Sequence, residues 1–115
     1  MKNIIQITIL VLLISFLTSC KSVIISPKEG VIKVPAKGEI EMWKDLEHAS
    51  FSLHLENKSL KNSCEVYNVS AFGSKKWISP SLLANKTLDF SIASNGSLLL
   101  QNYSNEEIIV NYKIN

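Results

Sequence analysis

Apolar and polar side chains alternate with a period of two along most of this chain, in short runs broken by turn residues. Phe51, Leu53 and Leu55 alternate with Ser52, His54 and Glu56, and Leu88, Phe90 and Ile92 with Thr87, Asp89 and Ser91. Ile108, Val110, Tyr112 and Ile114 form a further series near the C-terminus. Successive side chains of a strand point to opposite faces, so this pattern buries one face of a sheet and wets the other. An amphipathic helix would repeat every three or four residues instead. Helical signals are few: Trp43–Ala49 predicts one or two turns, and Ser79-Pro80 starts a single turn through Leu82-Leu83. Val23–Ser26, Val31–Val34 and Gly38–Trp43 add short β-branched or alternating runs, punctuated by Pro27, Gly30, Pro35 and Gly38. Glu65–Phe72 is a longer run whose inward face is ambiguous.

About seven to nine short strands with closely spaced turns predict an all-β fold, a small antiparallel β-sandwich. Immunoglobulin-like and jelly-roll arrangements fit equally. Asn95-Gly96 predicts a hairpin turn between neighbouring strands. A three-residue loop, Ser94-Asn95-Gly96 with Gly96 left-handed, would set Ile92 opposite Leu98 and Phe90 opposite Leu100. That register puts the apolar residues on one face.

The N-terminus carries a different signal. Lys2 precedes an apolar run from Ile4 to Leu17, interrupted only by Gln6, Thr8 and Ser15, and the run stops at Leu17-Thr18-Ser19-Cys20. A basic start, a short apolar helix and small residues before a cut are the parts of a secretory signal. The run is too short to span a bilayer comfortably, which takes about 20 apolar residues. Leu17-Thr18-Ser19-Cys20 resembles the lipobox of bacterial lipoproteins. The resemblance implies cleavage before Cys20, a diacylglyceryl thioether on its sulfur, and an acylated amino group of the palmitate kind. More than one acyl chain gives stable anchoring. Lys21 in place of an aspartate after the cysteine resembles sorting to the outer membrane rather than the inner one. The expected organisation is a cleaved signal peptide over 1–19, a lipidated cysteine and very short tether over 20–22, and a β-sandwich over 23–115. Only Lys21 and Ser22 separate Cys20 from Val23, a reach of about 7 Å. If Val23–Ser26 joins the sheet, the domain rests against the membrane. Of the two cysteines, Cys20 is taken by lipid. Cys64 is then a buried hydrophobe or a reactive thiol.

Chemistry-bearing motifs are scarce. No His-Glu-x-x-His, phosphate-binding glycine loop or Gly-x-Ser-x-Gly elbow occurs. All 12 formal positive charges are lysines, so bidentate arginine clamps are excluded, and a net charge of +2 is too small for a dedicated nucleic-acid binder. No cofactor, metal site or catalytic residue is expected. His48, His54 and Glu56 share a parity that could hold a metal or simply form a solvated strand face. Glu39 and Glu41 share an exposed strand face. Asn-x-Ser/Thr triplets at Asn57, Asn68, Asn85, Asn95 and Asn102 read as compositional.

Aromatic residues are better candidates for function. With Ile40 and Met42 inward, Trp43 would point outward beside Glu39 and Glu41. Trp77 follows Lys75-Lys76 in an expected loop. Trp43, Trp77, Lys75 and Lys76 thus form a candidate binding surface, for a sugar ring or a partner protein. Alternatively, both tryptophans cap the ends of the core. The two lysines form a solvated loop or touch anionic lipid headgroups. The function expected is a lipid-anchored bacterial envelope protein with a non-catalytic binding or structural role, contacting another envelope protein. A carbohydrate-binding module, an inhibitor or immunity lipoprotein, and a small enzyme using His48, His54 or Cys64 are the alternatives.

Overall fold

The alternating runs become strands. A computed structural model describes residues 27–79 and 81–115. The expected signal peptide over 1–19, the expected lipidated Cys20 and tether, and the Val23–Ser26 run lie outside the described residues. Eight strands follow in order: β1 (Glu29–Val34), β2 (Glu39–Met42), β3 (Phe51–Asn57), β4 (Glu65–Val69), β5 (Lys75–Trp77), β6 (Thr87–Ile92), β7 (Ser97–Gln101) and β8 (Ile108–Ile114). They form two antiparallel four-stranded sheets, one ordered β1-β8-β3-β6 and the other β2-β7-β4-β5. Every connection except β4–β5 passes from one sheet to the other. Such a nested, doubly wound order is that of a jelly roll. The immunoglobulin-like alternative is thereby set aside.

The inward side chains follow the predicted parity. Val34 of β1, Leu53 and Leu55 of β3, Val66 of β4, Ile92 of β6, Leu98 and Leu100 of β7, and Ile108 and Val110 of β8 are all buried in one core. Each such side chain contributes about 1.5–3 kcal/mol by leaving water. No disulfide adds to this among the described residues, where Cys64 is a free, buried cysteine.

Three local expectations are corrected. First, β6 and β7 do not form a hairpin. They lie in different sheets, and Ile92, Leu98 and Leu100 meet across the core. One-faced strands satisfy their burial by facing each other as readily as by pairing edge to edge. The connecting turn closes by Gly96 N–H donating to Ala93 O at 2.9 Å, with Asn95 rather than Gly96 left-handed (φ 59°). Second, Lys75–Trp77 is an edge strand rather than a loop, paired with Tyr67–Val69 of β4. Third, among the described residues neither segment expected to make a helical turn is helical. Trp43 and Asp45 are left-handed (φ 65° and 57°), which breaks any right-handed helical turn there, while Leu82 forms a bridge to Cys64.

The sandwich has two distinct ends. At the proximal end, where β1 begins, lie Pro27, the β2–β3 and β4–β5 loops, the Ala93–Gly96 turn and Asn115. At the distal end, two buried asparagines tie loops down. Asn102 Nδ2 donates to the carbonyls of Val34, Pro35 and Glu106 at 2.7–3.2 Å, and Asn57 Nδ2 to those of Asn62 and Leu82 at 2.8 and 3.1 Å.

Gly96 is required by close approach. A Cβ there would stand 2.8 Å from Val69 O and 3.1 Å from Ala93 O, both backbone atoms. Gly96→Ala is expected to cost about 1–3 kcal/mol in urea unfolding. Asn95→Gly keeps the left-handed turn and loses only the bond accepted from His48 N–H, so it should cost about 1 kcal/mol. The opposite order would overturn the close approach at Gly96.

Candidate binding surface

The outer face of the sheet β2-β7-β4-β5 collects the polar and aromatic side chains left over once the core is filled. Its register sets Glu41, Leu99, Tyr67 and Trp77 in one row, and Glu39, Gln101 and Glu65 in the next. Cross-strand neighbours on one face lie about 4.5–5.5 Å apart at Cβ, so each row is continuous. Leu99 has outward parity yet is only 2% exposed, flanked by Glu41 and Tyr67.

Hydrogen bonds fix the carboxylates in place. Ser97 Oγ donates to Glu41 Oε2 at 2.7 Å, Gln101 Nε2 to Glu39 Oε2 at 2.8 Å, and Tyr67 OH to Glu65 Oε2 at 2.8 Å. Tyr103 OH donates to Gln101 Oε1 at 2.7 Å, which extends the network past the end of β7. Ser97, Gln101, Tyr67 and Tyr103 thus donate within the network, while Oε1 of each of these three glutamates has no partner among the described residues. A face built this way accepts hydrogen bonds from whatever meets it. Trp77 and Tyr103 flank it, 50% and 67% exposed.

Tyr67 records the strength of this arrangement. The Glu65 carboxylate accepts its phenolic hydrogen and stands close in negative charge, and its hydroxyl is pushed from 10.0 up to about 12.

The candidate residues divide. Trp77 and Lys75 lie on this outer face, while Lys76 sits opposite Asn68 with the other parity and is exposed. Trp43 does not join them. The left-handed turn at its α-carbon carries the ring toward the core, edge-on to Phe51 and Tyr112 with centroids 5.1 and 5.6 Å away. It caps the proximal end of the core, whereas Trp77 stays at the surface. Cys20 lies outside the described residues. The signal for the rest of the surface was present in the sequence as Glu39 and Glu41, but Tyr67, Glu65 and Gln101 come from strands whose neighbours only the topology supplies.

The imidazoles do not share a site. His48 is buried, with Nδ1 2.7 Å from Ala49 O and Nε2 2.7 Å from Gly96 O, and it braces the Ala93–Gly96 turn. His54 Nδ1 lies 2.6 Å from Asp89 Oδ1 on the outside of the other sheet, and Glu56 lies 3.5 Å from Lys58 Nζ. Burial pushes the Cys64 thiol from 9.0 up to about 12, against a lowering backbone hydrogen bond from Gln101 and with a smaller raising effect from Glu65. It stays a protonated packing group at neutral pH.

No protein-family model and no curated protein matches the sequence. Among solved structures, the crystal structure of PirA is similar, with a TM-score of 0.57 and 12% identity over 80% of this chain and 97% of that one. The likeness is one of fold.

Two measurements check these assignments. Glu65→Gln removes the accepting carboxylate, so ultraviolet titration should show Tyr67 ionising closer to 10.0 than to about 12; an unmoved titration would break the Tyr67–Glu65 assignment. For Cys64, the folded chain holds a proton between pH 9.0 and about 12 that the unfolded chain has released. Stability is therefore full below the lower value and declines as pH rises toward the upper one. Cys64→Ala should flatten that alkaline decline in urea unfolding.

Proposed function

We propose that this chain is a lipid-anchored protein of the bacterial cell envelope, held by Cys20. Its jelly-roll domain binds or braces another envelope protein without catalysis. The observation that carries the reading is the outer face of β2-β7-β4-β5, where three glutamates fixed by hydrogen bonds are flanked by exposed Trp77 and Tyr103. Rigid aromatic anchors beside oriented polar groups suit protein recognition, because little side-chain freedom is lost on contact. Three carboxylates against one lysine, Lys75, favour a partner surface bearing lysine or arginine, which also meets aromatic rings well. A neutral glycan could donate hydroxyls to these carboxylates, but only a cationic surface also gains from their net charge. The anchoring half of the reading is supported by the lipobox-like Leu17-Thr18-Ser19-Cys20, and Lys21 favours the outer membrane.

A photo-crosslinking residue at Tyr103 is expected to give one discrete protein adduct in living cells. The adduct should disappear when Glu39, Glu41 and Glu65 are together changed to Gln. A crosslinker at Leu60, exposed at the distal end, should give none. Trp77→Ala should weaken binding about tenfold or more. An adduct indifferent to the three glutamates, or saturable binding of the purified protein to glycans instead, overturns the protein-partner reading. Cys20→Ser should move the chain from the membrane to the soluble fraction.

A further inference from the structure

The exposed aromatic at the proximal end has no role in the surface just described. Phe72 is 99% exposed at the apex of the β4–β5 loop. The loop is built to present it. Gly73 N–H donates to Ser70 O at 2.9 Å, Ser70 N–H to Ser74 O at 2.9 Å, and Ser74 N–H to Ser70 Oγ at 3.1 Å. Gly73 takes the left-handed conformation (φ 84°) that completes the turn. Lys75 and Lys76 follow at once on β5, both exposed.

Chain connectivity decides what this apex faces. The start of β1 at Glu29 pairs with Lys113 near the end of β8, and the start of β5 at Lys75 pairs with Val69 at the end of β4. Both lie at the proximal end, as the short link from Ile92 to Ser97 between the sheets requires. The chain therefore leaves toward Cys20 from the same end that carries Phe72. Seven residue steps from Cys20 to Pro27 span at most about 25 Å. Turning the distal end to the membrane would use most of that reach, since a strand of six residues is itself about 20 Å long. Lys28 and Lys113 add positive charge at the proximal end beside Glu29. Asp45 and Glu47 line a groove of about 380 Å³ between the β2–β3 and β4–β5 loops, together with Lys44.

We infer that the β4–β5 loop is a second membrane contact, with Phe72 entering the bilayer interface and Lys75 and Lys76 meeting anionic lipid headgroups. Aromatic rings settle at the headgroup level, and lysines near an anionic surface are attracted to it. The lipid on Cys20 brings the loop to the surface, and the loop fixes the domain's orientation there, so the inference rests on the anchoring proposed above.

The test uses the full lipidated protein in vesicles of phosphatidylethanolamine and phosphatidylglycerol containing a nitroxide-labelled lipid. An environment-sensitive dye is attached at Ala71→Cys, beside Phe72, or at Leu60→Cys at the distal end. Buried Cys64 and lipidated Cys20 leave these as the reactive thiols. The dye at position 71 is expected to shift to the blue and to be quenched severalfold more than the dye at position 60. Phe72→Ser combined with Lys75→Glu and Lys76→Glu should abolish the difference. Mass spectrometry of Cys20 separates the two ideas. A chain without the diacylglyceryl group overturns the anchor and this inference with it. A lipidated chain whose dye behaves alike at positions 71 and 60, or is indifferent to the three substitutions, overturns the loop contact alone.

Discussion

Strand β7 is buried on both faces, and the rest of the molecule is arranged around it. Leu98 and Leu100 fill the core from one side of the strand, and Leu99 lies under the polar network on the other. Its backbone pairs with β2 and β4, which fixes the rows of the outer face. Its two end residues, Ser97 and Gln101, hold Glu41 and Glu39, and Gln101 O receives the Cys64 thiol. A slip of β7 by one residue would turn Ser97 or Gln101 into the core and break their bonds to Glu41 and Glu39, so core and surface share one register. The carboxylates are thereby set by the same constraint that packs the interior.

The buried polar groups serve the ends of the sandwich. Strand ends and loops leave backbone donors and acceptors that no ladder satisfies. Asn102 and Asn57 answer this at the distal end by donating to carbonyls and accepting from Ser104 N–H and Ser59 N–H. His48 and Asn95 answer it at the proximal end, where the Asn95 side chain accepts from His48 N–H. Among the described residues, no buried side-chain nitrogen or oxygen lacks a partner. Fully satisfied internal caps let the loops differ in purpose. The distal loops are tied inward, whereas the β4–β5 loop closes on its own backbone and leaves Phe72 uncovered.

This division gives the proposed anchoring and recognition neighbouring places that meet at Lys75. The chain departs toward Cys20 at one end, and the glutamate face runs along the side of the sandwich. A partner could then meet Trp77 and Tyr103 while the proximal loops stay near the bilayer. The charges match the two tasks: carboxylates dominate the outer face, and lysines follow Phe72.

The sequence by itself determined the strands with clean alternation, because a period of two is a local property that burial on one face imposes. Phe51–Glu56, Thr87–Ile92 and Ile108–Ile114 were legible for that reason, and so were the inward Ile40 and Met42. The leader motif, Leu17-Thr18-Ser19-Cys20, lies outside the described residues, and the proposed anchoring rests on the sequence alone. Only the tertiary structure decided which strands are neighbours. Asn95-Gly96 reads as a hairpin turn, but apolar faces can meet across a sandwich as well as within a sheet, and nothing local separates the two. It also turned Trp43 inward through one left-handed residue, and made Asn57 and Asn102 structural when their triplets look compositional. Tyr67, Glu65 and Gln101 form a surface with Glu39 and Glu41 only because β7 lies between β2 and β4. Pairing across some sixty residues of chain is a property of topology, and topology is set by the whole core at once.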